Sequence, residues 1–276
     1  MSVTILCWLL LAAAGWAQKA DPMRPDPNMA RPIAARDTVW IEEMTWLEVR
    51  DALKAGKRTA IVPTGGVEQN GPYLAAGKHN YVLRATAEAI ARKLGDALVA
   101  PVVPFVPEGN ISPPSGHMLY PSTIGVREET FERLLTDIAE SLKQHGFLHV
   151  VLIGDSGGNT KGMAAVAAAL SKRWGAGGAR IYHIPEYYDY ASVKGWLDKQ
   201  GVRQTDEGMH DDFAMSAQMM LVDPATVRMK ERMAAKKFSI NGVPLAPLEK
   251  TVAWGKRIVD YRAELTVAAI RKAMGR

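Results

Sequence analysis

From about Trp40 onwards, the chain alternates between segments with helical periodicity and short, continuously apolar segments. Apolar residues that recur every three or four positions predict helices, and short apolar runs bounded by polar residues, Gly or Pro predict buried strands. The predicted strands are residues 59–63, 97–103, 149–153 and 180–184. The predicted helices are residues 45–55, 81–94, 127–145, 160–174 and 213–222.

This alternation predicts an α/β fold. Strands that are apolar at every position are covered on both faces, and the helices between them supply right-handed crossovers. With 276 residues, 47% of them hydrophobic and 23% charged, the chain can bury one sizeable core. We therefore predict a single-domain, mostly parallel sheet with helices on both faces, formed by residues 39–276. Within it, the basic, helix-rich residues 225–276 are interpreted as surface helices, with an oligomer contact as the alternative.

The N-terminal residues, 1–38, differ in composition from the predicted domain. Residues 3–14 form an apolar run too short to span a bilayer comfortably, and Gly15-Trp16-Ala17 offers small residues to a signal peptidase. We expect residues 1–17 to be a signal peptide, with an uncleaved anchor as the alternative. The mature chain would then be periplasmic or secreted, with no stable membrane span. Residues 18–38 hold four prolines and predict an extended linker.

Charge and cysteine content limit the partners, metal ligands and nucleophiles that the chain can have. The net charge is +5, but Lys and Arg are scattered among acids without a nucleic-acid-binding motif, so we expect no nucleic-acid partner. Cys7 is the only cysteine and falls within the predicted signal peptide. Thiolate ligands and cysteine nucleophiles are then excluded from the mature chain. Nitrogen and oxygen ligands would have to hold any metal.

A Gly-rich polar segment, residues 64–80, follows the first predicted strand. Polar groups beyond the end of a parallel strand commonly form a site at that edge of the sheet. Glu68 is a candidate metal ligand there, or a solvated loop acid. His79 is a second candidate ligand, or a helix cap bonded to the backbone.

Two later segments have the same polar character. Residues 154–159, Gly-Asp-Ser-Gly-Gly-Asn, follow the strand at 149–153, and their backbone N–H groups can face an anion or a developing oxyanion. Asp155 in this loop can supply a ligand charge. His210 precedes the helix at 213–222 and is a candidate general acid or base, or a bystander beside a capping Asp211 or Asp212.

The three segments resemble the creatininase (creatinine amidohydrolase) family, whose first motif runs G-x-x-E-Q-H-G-P-H-L-P-x-G-x-D. The matching residues are Gly65, Glu68, Gln69, Gly71, Pro72, Leu74 and Gly77. Residues 152–159 resemble the family's N-G-H-G-G-N loop, and His210 is placed on its catalytic His. A weaker match, similar to G-x-x-x-x-H-x-x-F-P-G-T, is Gly116-His117 before residues 120–124. The resemblance covers residues 40–224.

The chain departs from the family's metal-binding pattern. Asn70 and His79 stand where the family has His and Asp, and Ser156 stands at a metal-binding His. An imidazole cannot bridge two ions as a carboxylate does, because its nitrogens point in different directions. The resemblance therefore implies a divalent metal, zinc or manganese, with one ion favoured over two.

The activity implied by the resemblance is hydrolysis of a non-peptide C–N bond in a small amide, cyclic or related. The implied catalytic residues are His210 and Glu68, and the implied metal ligands are Glu68, His79 and Asp155. Gly157, Gly158, Asn159 and Asn70 would surround the substrate. The resemblance also implies a homo-oligomer.

Two other functions stay open. Residues 154–158 fit the nucleophile elbow G-x-S-x-G, so a serine hydrolase would use Ser156, with His210 as base and Asp189 or Asp223 as orienting acid. That hypothesis leaves Glu68 without a chemical role. Since three ligand positions are altered, a creatininase-fold protein that binds a small molecule without turnover is the second alternative.

Overall fold

The computed structural model describes residue 21 and residues 23–276. The predicted signal peptide lies outside these residues, as does part of the predicted linker. Residues 35–276 form the larger of two compact units and hold the sheet, its helices and the candidate site. In the described part of the chain, no helix has the length and apolar character needed to cross a membrane.

The larger unit contains a main sheet, a short hairpin and α-helices joined by loops and 3-10 turns. The main strands are β1 (Thr59–Thr64), β2 (Ala97–Val99), β3 (His149–Gly154) and β4 (Arg180–His183), and the hairpin pairs β5 (Ser239–Ile240) with β6 (Val243–Pro244). The helices are α1 (Trp46–Lys54), α2 (Lys78–Leu94), α3 (Glu128–Gln144), α4 (Asn159–Trp174), α5 (Tyr190–Lys199), α6 (Phe213–Val222), α7 (Met229–Ala234) and α8 (Leu248–Met274).

The strand order of the main sheet is β2-β1-β3-β4, and all neighbouring pairs are parallel. The chain passes from β1 to β2 on one side and then to β3 on the other side of β1. This reversal creates a topological switch point at the carboxyl ends of β1 and β3, where ligands bind in open α/β sheets. The predicted α/β class with a mostly parallel sheet is confirmed.

The two faces of the sheet are covered by different helices. Ile61, Val151 and Ile153 share a buried cluster with residues of α2 and α8. The alternate positions, Val62 and Leu152 among them, share a second cluster with residues of α3 and α4. Successive side chains of a strand point to opposite faces, so continuous apolar strands are buried on both sides.

Two predicted boundaries differ from the structure near the site. Helix α2 begins at Lys78 rather than at residue 81, because Gly77 is its N-cap and its carbonyl accepts from the Tyr81 N–H. Lys78 and His79 therefore lie in the first turn of a helix. Strand β2 ends at Val99 instead of residue 103, since Pro101 cannot donate a ladder hydrogen bond.

The interpretation of the C-terminal residues as surface helices is wrong for α8. Its inner face is buried against α2 and α6, with Ile258, Ala263 and Ile270 fully inaccessible. Arg262 lies on the same face and is also buried. The other basic residues of α8, which suggested a surface helix, lie on its exposed outer face.

Helix α8 approaches α6 closely at Gly255. A Cβ atom there would lie 2.1 Å from the Ala217 carbonyl oxygen, which belongs to backbone and cannot swing aside. We expect Gly255→Ala to lower the free energy of unfolding by about 1–3 kcal/mol, measured by urea denaturation. Gly195→Ala in α5 is the matched control, because a Cβ there meets nothing within 4 Å. That control should stabilise the protein by about 0.5–1 kcal/mol, and equal effects of the two variants would contradict the close approach.

Candidate active site

A cavity of about 720 Å³ opens at the carboxyl ends of β1 and β3. Most of its wall comes from the loop after β1 with the start of α2, residues 107–117, the loop after β3 and the segment before α6. Tyr188, Tyr190, Met215 and Asn241 also line it. It therefore lies at the topological switch point. The polar residues on which its chemistry depends include Glu68, Lys78, Glu108, His117, Ser156 and His210.

Glu68 is the central carboxylate of this cavity and is buried. Its Oε1 accepts from His79 Nε2 at 2.7 Å and lies 3.5 Å from Lys78 Nζ. Its Oε2 lies 3.2 Å from His117 Nε2. Burial opposes ionisation, but the hydrogen bond and charge of His79, with the charge of Lys78, outweigh it and hold the pKa of Glu68 well below its usual range. Glu68 is thus an anion at neutral pH.

His79 connects the loop after β1 to the loop after β3. Its Nδ1 donates to Asp155 Oδ2 at 2.8 Å while its Nε2 donates to Glu68. Burial works against the cation, but the two carboxylate hydrogen bonds raise the pKa of His79. Both ring nitrogens are used, so in this arrangement His79 is a cationic bridge between two carboxylates and offers no lone pair to a metal.

Asp155 is completely inaccessible and lies behind this bridge. Its Oδ1 accepts from Arg262 at 2.8 Å and from the Tyr190 hydroxyl at 2.7 Å. Burial opposes ionisation, but the charge of Arg262 and the hydrogen bond from His79 lower the pKa of Asp155. The predicted ligand Asp155 is thus enclosed by cations and does not face the cavity.

A second acid, Glu108, lies beside Glu68 in the cavity wall. Burial and the negative charge of Glu68 raise the pKa of Glu108 to about 9. One of its oxygens, Oε1, is buried and has no hydrogen-bond partner among the described residues.

Three side chains of the cavity are grouped as metal ligands commonly are. Glu68, His117 and His210 each offer a ligand atom, and these atoms lie within 4.8 Å of one another. The two imidazole rings are stacked with centroids 4.6 Å apart. His210 Nδ1 donates to the Gln69 carbonyl at 2.9 Å, which leaves the lone pair on Nε2. Burial and the charge of Lys78 lower the pKa of His210, so its ring is neutral at pH 7.

The residues predicted to surround the substrate divide into two pairs. Gly157 and Gly158 line the cavity, and a Cβ on Gly158 would lie 2.5 Å from the Pro107 carbonyl oxygen. Asn70 and Asn159 are buried and donate to backbone carbonyls: Asn70 to Glu68, Ala75 and Ala76, and Asn159 to Thr64 and Gly65. These two side-chain amides therefore stabilise the loops. They do not line the cavity, where the predicted substrate contact would be.

The serine-hydrolase constellation is not assembled. Ser156 lines the cavity, but within the described residues no hydrogen bond joins it to His210. Asp189 caps α5 by accepting from the Ser192 N–H, and Asp223 caps the next turn by accepting from the Ala225 N–H. Neither acid orients His210.

Sequence reasoning missed Lys78, Glu108 and Arg262 as members of the site, and it gave His117 no role. His117 had a signal, because it lies in the weaker family-like segment with Gly116. The other three had none. A lysine beside a glycine, a glutamate in a Pro-rich loop and an arginine in a basic helix each look like ordinary surface residues.

Comparison with known proteins adds independent information. The creatininase family model, described as creatinine amidohydrolase, matches residues 42–270. A mycofactocin precursor peptide peptidase from Mycolicibacterium smegmatis is 29% identical over 115 residues, covering 40% of this chain and 44% of that protein. A creatinine amidohydrolase from Pseudomonas putida is 26% identical over 116 residues, covering 42% and 44%. The matched segments thus span less than half the length of both relatives.

The fold agrees with that family. A solved structure described as "Creatininase Mn" superposes with a TM-score of 0.61 at 19% identity, covering 86% of this chain and 98% of that one. At this identity the likeness concerns the fold. Since the family model spans the sheet, its crossover helices and every cavity residue named above, the chain belongs to the creatininase family.

Proposed function

We propose that the protein is a metal-dependent hydrolase that cleaves a non-peptide C–N bond in a small amide. The observation that carries this proposal is the group of Glu68, His117 and His210 in the wall of the cavity. Membership of a family whose relatives include an amidohydrolase supports it. The predicted homo-oligomer and the periplasmic or secreted location stay predictions.

The donor set fits a divalent ion. One carboxylate and two imidazoles are ligands that zinc accepts, and manganese also accepts carboxylate and nitrogen donors. Such an ion would polarise the carbonyl of a bound amide and lower the pKa of water next to it. One ion is favoured over two, because the cationic His79 occupies the space between the carboxylates of Glu68 and Asp155.

The side chains around this group have distinct roles in the proposal. Lys78 Nζ brings a buried positive charge to the cavity, where it can stabilise negative charge that develops on the carbonyl oxygen. Gly157 and Gly158 let the substrate approach the backbone closely. His79 orients Glu68 so that its Oε2 faces His117.

The alternatives are less well supported. A serine mechanism needs a base beside Ser156 and an acid behind His210, and the two acids in question cap other elements. A protein that binds without turnover would not need Glu68, His117 and His210 grouped in one cavity. Its distinguishing outcome is ligand binding without product.

Metal analysis of the full-length purified protein tests the proposal. We expect about one equivalent of zinc or manganese per chain, and chelator-sensitive ring opening of a cyclic amide from a panel that includes creatinine and simple lactams. The single product would carry both the new carboxylate and the freed amino or guanidino group. Glu68→Gln should lose the metal, because a site with few ligands weakens steeply when one is removed. The matched control is Glu186→Gln, an exposed acid of the Pro185–Tyr188 turn, which should keep it. Wild-type protein that binds neither ion after reconstitution would refute the proposal.

A further inference from the structure

Arg262 of α8 has a position that the proposed function leaves unexplained. The residue is buried and does not line the cavity. Its Nη2 donates to Asp155 Oδ1 at 2.8 Å and to the Tyr187 carbonyl at 3.2 Å, and its Nη1 donates to Gln218 Oε1 at 3.1 Å. A buried cation needs such partners, because removing it from water costs free energy. Three acceptors thus fix the position and the plane of this guanidinium.

Two aromatic rings pack against the same guanidinium. Its central carbon lies 4.5 Å from the ring centroid of Tyr187 and 4.6 Å from that of Tyr190. Such contacts are favourable because the face of an aromatic ring attracts a cation. The Tyr190 hydroxyl also donates to Asp155 Oδ1, at 2.7 Å. Arg262 and Tyr190 therefore bind the same oxygen of Asp155 and leave its Oδ2 for another partner.

Asp155 Oδ2 begins a path of hydrogen bonds that ends in the cavity. It accepts from His79 Nδ1 at 2.8 Å, and His79 Nε2 donates to Glu68 Oε1 at 2.7 Å. All three side chains are buried. Carboxylates and imidazoles are planar, and their hydrogen bonds have preferred directions, so each group on the path restricts the plane of the next. The position of Arg262 therefore influences how Glu68 is oriented.

The orientation of Glu68 matters at its second oxygen. With Oε1 bound to His79, Oε2 lies 3.2 Å from His117 Nε2. This arrangement contributes to the grouping of Glu68, His117 and His210, whose ligand atoms lie within 4.8 Å of one another. Removing a group that orients a metal ligand from behind typically weakens metal binding by about 10- to 100-fold.

We propose that Arg262 is a positioning residue of the active site. Through Asp155 and His79 it holds the carboxylate of Glu68 in the orientation that faces His117. This inference rests on the proposed function, in which Glu68 binds the divalent ion. A purely structural Arg262 would only neutralise the buried Asp155. Its loss would then lower the free energy of unfolding and leave ion binding by the folded protein unchanged, so metal affinity distinguishes the two roles.

The test measures Mn²⁺ and Zn²⁺ affinity by calorimetry on the full chain, without a substrate, and the urea midpoint of each variant in parallel. Arg262→Gln should weaken binding of the ion that the wild type prefers at least about tenfold in the folded protein. Arg262→Lys keeps the charge but replaces the planar fork with a single ammonium group, so it should restore part of that affinity. The matched control is Arg257→Gln on the exposed face of the same helix, which should keep wild-type affinity.

A milder variant keeps the test decisive if Arg262→Gln does not fold. Tyr190→Phe removes one hydroxyl from Asp155 and retains the ring against Arg262. It should weaken ion binding by less than Arg262→Gln, because Arg262 still binds Asp155 Oδ1. Its control is Tyr182→Phe, which removes a hydroxyl bound to His149 at the amino end of β3 and should bind the ion as the wild type does.

The outcomes separate this inference from the proposed function. Folded Arg262→Gln or Tyr190→Phe protein with wild-type ion affinity would overturn the positioning role, even if its urea midpoint is lower. If Glu68→Gln loses the metal while those variants keep it, the metal-dependent function stands and Arg262 is only structural. If the wild-type chain binds neither ion, the function fails and the positioning role fails with it.

Discussion

Replacing Asp155 with asparagine is expected to lower the free energy of unfolding by about 3–5 kcal/mol, since breaking a buried ion pair leaves the partner charge uncompensated. Asp155 is inaccessible and its carboxylate binds the cations of Arg262 and His79. Asparagine has nearly the same shape but no charge. Urea unfolding followed by circular dichroism measures the loss.

The control for this prediction is Asp198→Asn. Asp198 pairs with Lys194 on the exposed side of α5, at 3.0 Å. Exposed pairs of this kind contribute about 0.5 kcal/mol or less, so that variant should unfold close to the wild type. An Asp155→Asn protein with the same urea midpoint as the control would show that the buried pair does not stabilise the fold.

His210→Ala is expected to reduce amide hydrolysis at least about 100-fold. The ring belongs to the group with Glu68 and His117, and its neutral form presents one lone pair to the cavity. The loss follows whether that lone pair binds the ion or accepts a proton. Initial rates on the amide that the wild type hydrolyses best provide the measurement, with the metal content of the variant determined in parallel.

Ser156→Ala is the companion variant, because it separates the two enzyme mechanisms that share His210. If the metal mechanism holds, Ser156→Ala keeps a substantial share of the activity and chelation abolishes it. A serine mechanism requires the reverse. Labelling of Ser156 by a serine-reactive phosphonate in the presence of chelator would contradict the metal proposal.

The sheet and its crossover helices could be predicted from the sequence because their signals are local. The run Val150-Val151-Leu152-Ile153 is apolar at every position, which is typical of a parallel strand covered on both faces. The position of the site followed as well, since Glu68 and Asp155 each come just after such a strand. Helix α8 shows where prediction from local patterns fails. Its charged outer face hid an inner face whose partners, α2 and α6, lie far away in the sequence.

Ligand roles in the site could not be predicted in the same way. Sequence resemblance aligned His79 with a metal-binding position. The partners of a side chain, however, depend on which groups surround it in the folded protein. Here its neighbours are the carboxylates of Glu68 and Asp155. Arg262, which neutralises Asp155, is 107 residues away in the chain. A pairing between residues so far apart cannot be recognised in a single sequence.

Those long separations have a consequence for how the protein acquires activity during folding. The hydrogen bond between His210 and Gln69 closes a loop of 141 residues, and the entropy lost on closing such loops makes distant contacts form late. Because its residues come from segments so far apart, the cavity is complete only when the whole fold is.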